Sequence, residues 1–271
     1  MSRAISESGP AAAPLIEVSN LTVAYETDGG LFRAVRDVAF ALGRQEVLGI
    51  VGESGSGKST LAHAIMGYRP PGARVLAGQV VFDGKPILDQ PAATLRHIWG
   101  RRIAMVHQNP LAALTPTMTV GDQIAEAIRQ HRGGSAATVA EAVAVSLRAV
   151  NLPDPVAIAQ RYPHELSGGQ RQRIVIAIAL SLEPDLLILD EPTTSLDATT
   201  EAVILDLLEE IRSRVQAAMI YISHNLGVIA RIATRVAVMY AGELVEVGPV
   251  GAIFRAPQHH YTGALLDCLP R

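Results

Sequence analysis

The feature that most constrains this chain is eight residues long. "GESGSGKS", Gly52 to Ser59, fits the pattern G-x-x-x-x-G-K-[ST]. The pattern carries meaning only between a buried strand and a helix, and both are present. "EVLGIVG" (Glu46 to Gly52) is a short continuous apolar run, as in a strand covered on both faces. "KSTLAHAIMG" has helical character and ends at Gly67, a C-cap candidate. Glycines let the backbone turn its N–H groups inward around phosphate oxygens, and the helix N-terminus adds its dipole. Lys58 is placed to meet the β- and γ-phosphates of a nucleotide, and Ser59 to ligate Mg²⁺. The candidate phosphate cradle is therefore Gly52, Glu53, Ser54, Gly55, Ser56, Gly57, Lys58, Ser59 and the adjoining Thr60.

Other strand ends supply polar groups that a phosphate loop needs. "LLILDE" buries four apolar residues and delivers Asp190 and Glu191 to a C-terminal strand edge, where parallel sheets bind ligands. Asp190 is the candidate Mg²⁺ ligand. Glu191 is the candidate base that orients and deprotonates an attacking water. Gln108 closes the strand "MVHQ" and His224 closes "YISH". Two acids at one strand end would be weak evidence alone, but several polar strand ends can converge on one γ-phosphate. His107 is read as packing.

The remaining pattern is that of an α/β domain. "LIEVSNLTVAY", a "TDGG" turn and "LFRAVRDVAFALG" predict an N-terminal antiparallel unit, and "GQVVFDGKPI" predicts strand residues around a "DG" turn. From Asn109 to about Ser181 strand signals vanish, and "TVGDQIAEAIRQH" and "ATVAEAVAVSLRAV" show helical period, which predicts a helical insertion. "EAVILDLLEEIRSRV" puts Ile204, Leu207, Leu208, Ile211 and Val215 on one face, read as packing on the chain's own sheet. "RVAVMYAGELVEVG" predicts a closing hairpin around Ala241 and Gly242.

Composition excludes several classes. At 49% hydrophobic and 18% charged residues the chain is globular. A net charge of -3 gives no case for nonspecific nucleic-acid binding, which wants a basic surface, and leaves room only for a local basic patch. The longest dense apolar run, "IVIAIALSL", is half of the roughly 18 residues that a spanning helix needs. The first 14 residues read as a flexible lead and not as a signal peptide. Cys268 is the one cysteine, which excludes an internal disulfide and points to the cytoplasm; it is read as a small apolar residue.

One stretch is left over. "ELSGGQRQR", Glu165 to Arg173, has a serine, two glycines and a run of helix formers, and so resembles a second anion cradle. Its place among the other motifs carries a resemblance. The chain resembles the nucleotide-binding subunits of ATP-binding cassette (ABC) transporters over nearly all of its length after the first dozen residues. The motifs stand in that family's order: "GESGSGKS", Gln108, "LSGGQ" (Leu166 to Gln170), "LLILDE", the D-loop "SLD" (Ser195 to Asp197) and His224.

The resemblance implies a P-loop NTPase (RecA-like) core with an N-terminal antiparallel β subdomain. A helical subdomain at about 109–182 would be inserted in the domain 15–271, with a C-terminal segment at about 248–271. It implies that Tyr25 stacks on adenine and that Ser59, Gln108 and Asp190 hold Mg²⁺. Glu191, Gln108 and His224 would serve hydrolysis. Two such subunits would meet head to tail, so that Ser167, Gly168, Gly169 and Gln170 of one close on the ATP held by the other; Asp197 would belong to the D-loop. Gln108 would link the γ-phosphate to the membrane subunits.

"HQNPLAALTPTMTVGDQIAEAI", "DEPTTSLDATT", "SHNLGVIARIATRVAVMYAGELVEVGPV" and "IFRAPQHHYTGALLDCLP" resemble the oligopeptide and dipeptide importers within that family. This implies two membrane permease subunits, an extracytoplasmic solute-binding protein, a second ATPase subunit and a place on the cytoplasmic face of the inner membrane. The same lineage includes importers of nickel, glutathione and other small polar solutes, and a pore-less ATPase of a carbon–phosphorus lyase complex. "LAALTPTMTVGDQI" after Gln108 is importer-like. Two departures stand out. His260 replaces the proline of the common "HPYT", and many members continue into a cysteine-containing tail where this chain ends at Arg271.

Overall fold

The computed structural model describes residues 13–194, 196–214 and 216–268. The predicted lead falls almost wholly outside these, as do Ser195, Val215 and Arg271. Strand β1 (Ile16–Thr27) pairs antiparallel with β2 (Gly30–Leu42) and with β4 (Ala73–Phe82), and β5 (Lys85–Pro86) completes a sheet of order β2-β1-β4-β5. A second sheet has the order β10 (Glu243–Pro249), β9 (Arg235–Tyr240), β3 (Val47–Val51), β8 (Ala218–Ser223), β7 (Leu186–Asp190), β6 (Ile103–Val106). Its strands run parallel except β10, which pairs antiparallel with β9 across the Ala241–Gly242 turn.

Every residue of β3, β7 and β8 is buried, which explains their unbroken apolar runs. Alternate residues serve opposite faces. Leu48, Ile50, Ile188, Ile220 and Ile222 pack with Leu21, Val38 and Leu42 of the antiparallel sheet and with helix α1 (Lys58–Ile65). Val47, Val51, Leu187, Leu189, Met219 and Tyr221 pack into the other core. The predicted stripe Ile204, Leu207, Leu208 and Ile211 of α8 (Ala198–Arg214) lies in this second core, against the chain's own sheet.

Between β6 and β7 the regular elements are helices, with one 3₁₀ turn at Pro163–Glu165. They are α3 (Pro110–Ala113), α4 (Val120–Arg132), α5 (Ala136–Ala149), α6 (Pro155–Ala159) and α7 (Gly168–Leu180). Thr119 caps α4, accepting from the Asp122 N–H, and Ser135 caps α5, accepting from Thr138. The helical block has no core of its own. Ile124, Ile128, Val143 and Leu147 belong to one continuous cluster with Leu187, Leu189 and Tyr221. Helix α7 makes the connection, touching α3, α4 and α5 as well as β6 and α8.

Four short helices were not foreseen: α2 (Ala92–Ile98), α9 (Leu226–Ile232), α10 (Val250–Arg255) and α11 (His260–Asp267). Cys268, expected as a small apolar residue, is exposed and unpaired. Among the described residues no helix is long and apolar enough to cross a membrane.

Candidate active site and a second anion cradle

The phosphate loop joins β3 to α1 and is shaped by backbone from distant segments. A Cβ on Gly52 would sit 2.1 Å from the carbonyl oxygen of Met239, and one on Gly57, at φ +106°, would sit 2.2 Å from that of Ala34. Only glycine fits either place. The Gly242 N–H donates to the Ser56 carbonyl at 3.0 Å, so the β9–β10 turn braces the loop from outside.

Lys58 is buried. Its Nζ donates to the carbonyls of Gly52 and Glu53, both at 2.8 Å, and lies 3.9 Å from Glu191 Oε1. Burial lowers the ammonium pKa, and the nearby Glu191 and Asp190 carboxylates oppose that shift. Asp190 is 8% exposed at the end of β7. Burial raises its pKa, a hydrogen bond from the Ser59 hydroxyl lowers it, and Glu191 raises it further.

Glu191 follows β7 in the left-handed region at φ +47°. Its N–H donates to the Ile222 carbonyl at 3.0 Å and its carbonyl accepts from the Thr194 N–H at 3.3 Å. A strained conformation held this way is found where a side chain must be aimed. The carboxylate is the meeting point of the strand ends. Glu191 Oε2 takes bonds from Gln108 Nε2 at 3.4 Å and Thr194 Oγ1 at 2.9 Å, and lies 3.2 Å from His224 Nδ1. Gln108 and His224 both lie just past their strands and are exposed. Tyr25 reaches the loop through its hydroxyl, 3.3 Å from Thr60 Oγ1.

The residues that would hold Mg²⁺ offer hard oxygens: the Ser59 hydroxyl, the Asp190 carboxylate and the Gln108 amide. Phosphate oxygens would complete such a shell, as Mg²⁺ sites of this type require. Among the described residues no group of three His, Cys, Asp or Glu could hold a metal without them.

The second cradle opens α7. Ser167 Oγ accepts from the Gln170 N–H at 3.3 Å, and Gln170 Oε1 accepts from the Ser167 N–H at 3.0 Å. This capping box leaves the first-turn amides of Gly168 and Gly169 without intrahelical partners. Ser167 and Gly168 are exposed. A Cβ on Gly169 would lie 2.5 Å from Thr200 Cγ2. Asp197 caps α8, accepting from the Thr200 N–H at 2.9 Å and the Thr200 hydroxyl at 2.7 Å. Among the described residues no hydrogen bond joins 167–170 to 52–60. Two further residues of the site were not singled out from the sequence: Thr194, embedded in "DEPTT", and Tyr261, which accepts the Glu53 N–H at 3.2 Å. His107, read as packing, is exposed, its ring centroid 6.3 Å from that of His63.

The ABC transporter family profile matches residues 35–194. The dipeptide transport ATP-binding protein DppD of Bacillus subtilis is 47% identical over 95% of this chain and 77% of its own length. The oligopeptide transport ATP-binding protein OppD of the same organism is 44% identical over 94% of this chain and 72% of its own length. Among solved structures, the dimeric post-hydrolysis state of the ATP-binding cassette MJ0796 bound to ADP and Pi superposes with a TM-score of 0.77. It is 26% identical and covers 87% of this chain and 98% of that one. CbiO1 from Clostridium perfringens, part of the ABC transporter complex cbiONQ, gives 0.76 at 27% identity, covering 90% of this chain and 91% of its own.

Proposed function

This chain belongs to the ABC transporter family, and from that premise we propose that it is the ATP-hydrolysing subunit of an importer for dipeptides or oligopeptides. The observation that carries the enzymatic part is the Glu191 carboxylate. It is held beside Lys58, Gln108, His224 and Thr194 at the strand edge above the phosphate loop. The peptide part rests on the names of relatives 47% and 44% identical.

In the reaction, the loop amides and Lys58 bind the β- and γ-phosphates, and Lys58 leaves the Gly52 and Glu53 carbonyls to do so. Glu191 takes a proton from water as its oxygen bonds to the γ-phosphorus. The bond to the β–γ bridging oxygen breaks, and ADP keeps that electron pair. His224, bonded to Glu191, orients the carboxylate and faces the transferred phosphate, and Gln108 holds the water from the other side. Mg²⁺, held by Ser59, Asp190 and Gln108, would neutralise charge on the phosphates when bound.

Ser167, Gly168 and Gly169 bind the γ-phosphate of a nucleotide on a second ATPase subunit, at a helix N-terminus suited to an anion. Hydrolysis removes those contacts and opens the dimer. The membrane subunits meet the helical block after Gln108. There a groove of about 250 Å³ between α4, α5 and α6 is lined by Ala125, Val139, Val143 and Val156. It suits a short cytoplasmic helix. Such contacts would hold the subunit at the cytoplasmic face of the membrane.

The test is reconstitution of the chain with its co-purifying membrane subunits, second ATPase and binding protein in liposomes. Labelled di- or tripeptide should accumulate only with ATP and Mg²⁺. ATP-dependent accumulation of another solute, with none of peptide, would overturn the peptide assignment and leave the ATPase standing.

A further inference from the structure

Tyr261 has no part in the reaction above, yet it is bonded to the phosphate loop. It sits in the first turn of α11 and accepts the Glu53 N–H at 3.2 Å across 208 positions of sequence. Its ring lies 4.4 Å, centroid to centroid, from that of Tyr240, the last residue of β9. The next two residues form the turn whose Gly242 N–H holds the Ser56 carbonyl. The loop is thus gripped on both sides of Gly55, at Glu53 from α11 and at Ser56 from the β9–β10 turn. The two grips are joined through the Tyr240–Tyr261 pair.

α11 is itself fixed where Tyr261 enters. The Glu246 carboxylate of β10 accepts the N–H of Gln258 at 2.8 Å and of His259 at 3.1 Å, and His259 Nδ1 accepts the Tyr261 N–H at 3.2 Å. Burial raises the Tyr261 phenol pKa, and the Glu53 N–H bond opposes that. The hydroxyl therefore stays protonated at neutral pH and presents an oxygen to the loop.

We propose that Tyr261 is a positioning residue for nucleotide binding: its hydroxyl holds the first half of the phosphate loop ready for phosphates and so ties α11 to nucleotide affinity. The proposal rests on the ATP-binding reading of the loop. Three glycines make Gly52–Ser59 costly to order. A clamp that orders the loop beforehand raises the competent fraction, and affinity scales with that fraction. Loss of one hydrogen bond of ordinary net strength corresponds to about a five-fold change.

The experiment compares wild type with Tyr261→Phe in the full 271-residue chain. The substitution keeps the ring against Tyr240 and removes only the hydroxyl. Calorimetry with ADP and with ATP should give Kd values raised about five-fold, and KM for ATP should rise in step. The saturating rate should stay at the wild-type value, and the nucleotide-free melting temperature should fall by no more than about 3 °C, the cost of one hydrogen bond in a domain of this size. Equal Kd values in the two proteins overturn the proposal. A fall in melting temperature and kcat with unchanged KM also overturns it, because that is what a merely structural residue would show. If wild type binds neither nucleotide, the ATP reading itself fails and the proposal with it; wild-type binding without a Tyr261→Phe effect sinks the proposal alone.

Discussion

The two anion cradles are built in opposite ways. The phosphate loop is enclosed. Met239 and Ala34 crowd its glycines, Gly242 and Tyr261 grip its backbone, and a buried lysine already bonds two of its carbonyls. It has acids beside it and a cation within it. The cradle at Ser167 is a bare helix end. It has an exposed hydroxyl and two first-turn amides, that of exposed Gly168 and of half-buried Gly169, with no lysine and no catalytic carboxylate bonded to it among the described residues. The nearest base in sequence, Arg171, gives its Nε to the Pro163 carbonyl at 2.7 Å. On the proposed reading, the first cradle binds and cuts a phosphoanhydride. The other can contribute donors but can neither hold nor cut a nucleotide. That contrast supports the proposal that the second cradle is half of a site completed by another subunit, and it can be broken one half at a time.

The largest effect belongs to the enclosed half. Glu191→Gln keeps the shape and the hydrogen bonds to Thr194 and Gln108 within reach but removes the proton acceptor. ATP hydrolysis should fall by about 10²- to 10⁴-fold with ATP affinity kept. The variant should accumulate an ATP-bound dimer on size exclusion with Mg²⁺. Wild-type turnover would take Glu191 out of its role. Lys58→Ala acts a step earlier. It removes the cation for the phosphates and the two bonds that hold Gly52 and Glu53. ATP affinity should drop roughly 10- to 100-fold by calorimetry, as for loss of a charge-assisted bond; unchanged affinity would contradict the loop assignment.

Ser167→Arg addresses the open half. It puts bulk and charge where a partner's γ-phosphate must lie, and the chain's own loop is untouched. Binding of ATP to the isolated chain should be unaffected, and ATP-driven dimerisation of the Glu191→Gln background should disappear. Persistence of the dimer would show that the helix end does not serve the partner's nucleotide. With a distinct partner ATPase, the lesion should strike the partner's composite site directly and this chain's site only through lost closure.

Much of this was legible in the sequence, for a physical reason. β3, β7 and β8 lie in the middle of a parallel sheet, so burial on both faces writes itself as an apolar run, and their polar C-terminal residues stand out against it. Asp190, Glu191 and His224 were read as candidates in this way, and Gln108 from the short apolar run of β6 at the sheet's edge. What was missed is what only tertiary structure brings together. α9 spans seven residues, too few for a period, and is announced only by Asn225, whose side chain accepts the N–H of Gly227 and Val228. α2 is as short and has no side-chain cap at all. The grip of Tyr261 on Glu53 spans most of the chain, and no local pattern encodes it. The helical block read as an insertion within the α/β domain, and the second half of α7, Ile174 to Leu180, is apolar all round because it is packed from both sides, which merges the block with the main core.

The smallest effect tests one residue whose assignment the structure complicates. Gln170 was placed among the groups that touch a partner's nucleotide. In the structure its Oε1 is engaged with its own helix, accepting the Ser167 N–H, while its N–H donates to Ser167 Oγ. A side chain held in a capping box stabilises the helix end by about 1 kcal/mol. Gln170→Ala should therefore lower the melting temperature by about 3 °C in a domain of this size. Alanine has slightly better helix propensity and will offset a little of that. ATP binding at the chain's own loop should not change. Dimerisation should weaken only modestly, because the donors for the partner's phosphate are Ser167 and the amides of Gly168 and Gly169, which the box presents. If Gln170→Ala leaves the melting temperature unchanged but abolishes the ATP-driven dimer, Gln170 reaches the nucleotide itself and the open cradle is larger than its first turn.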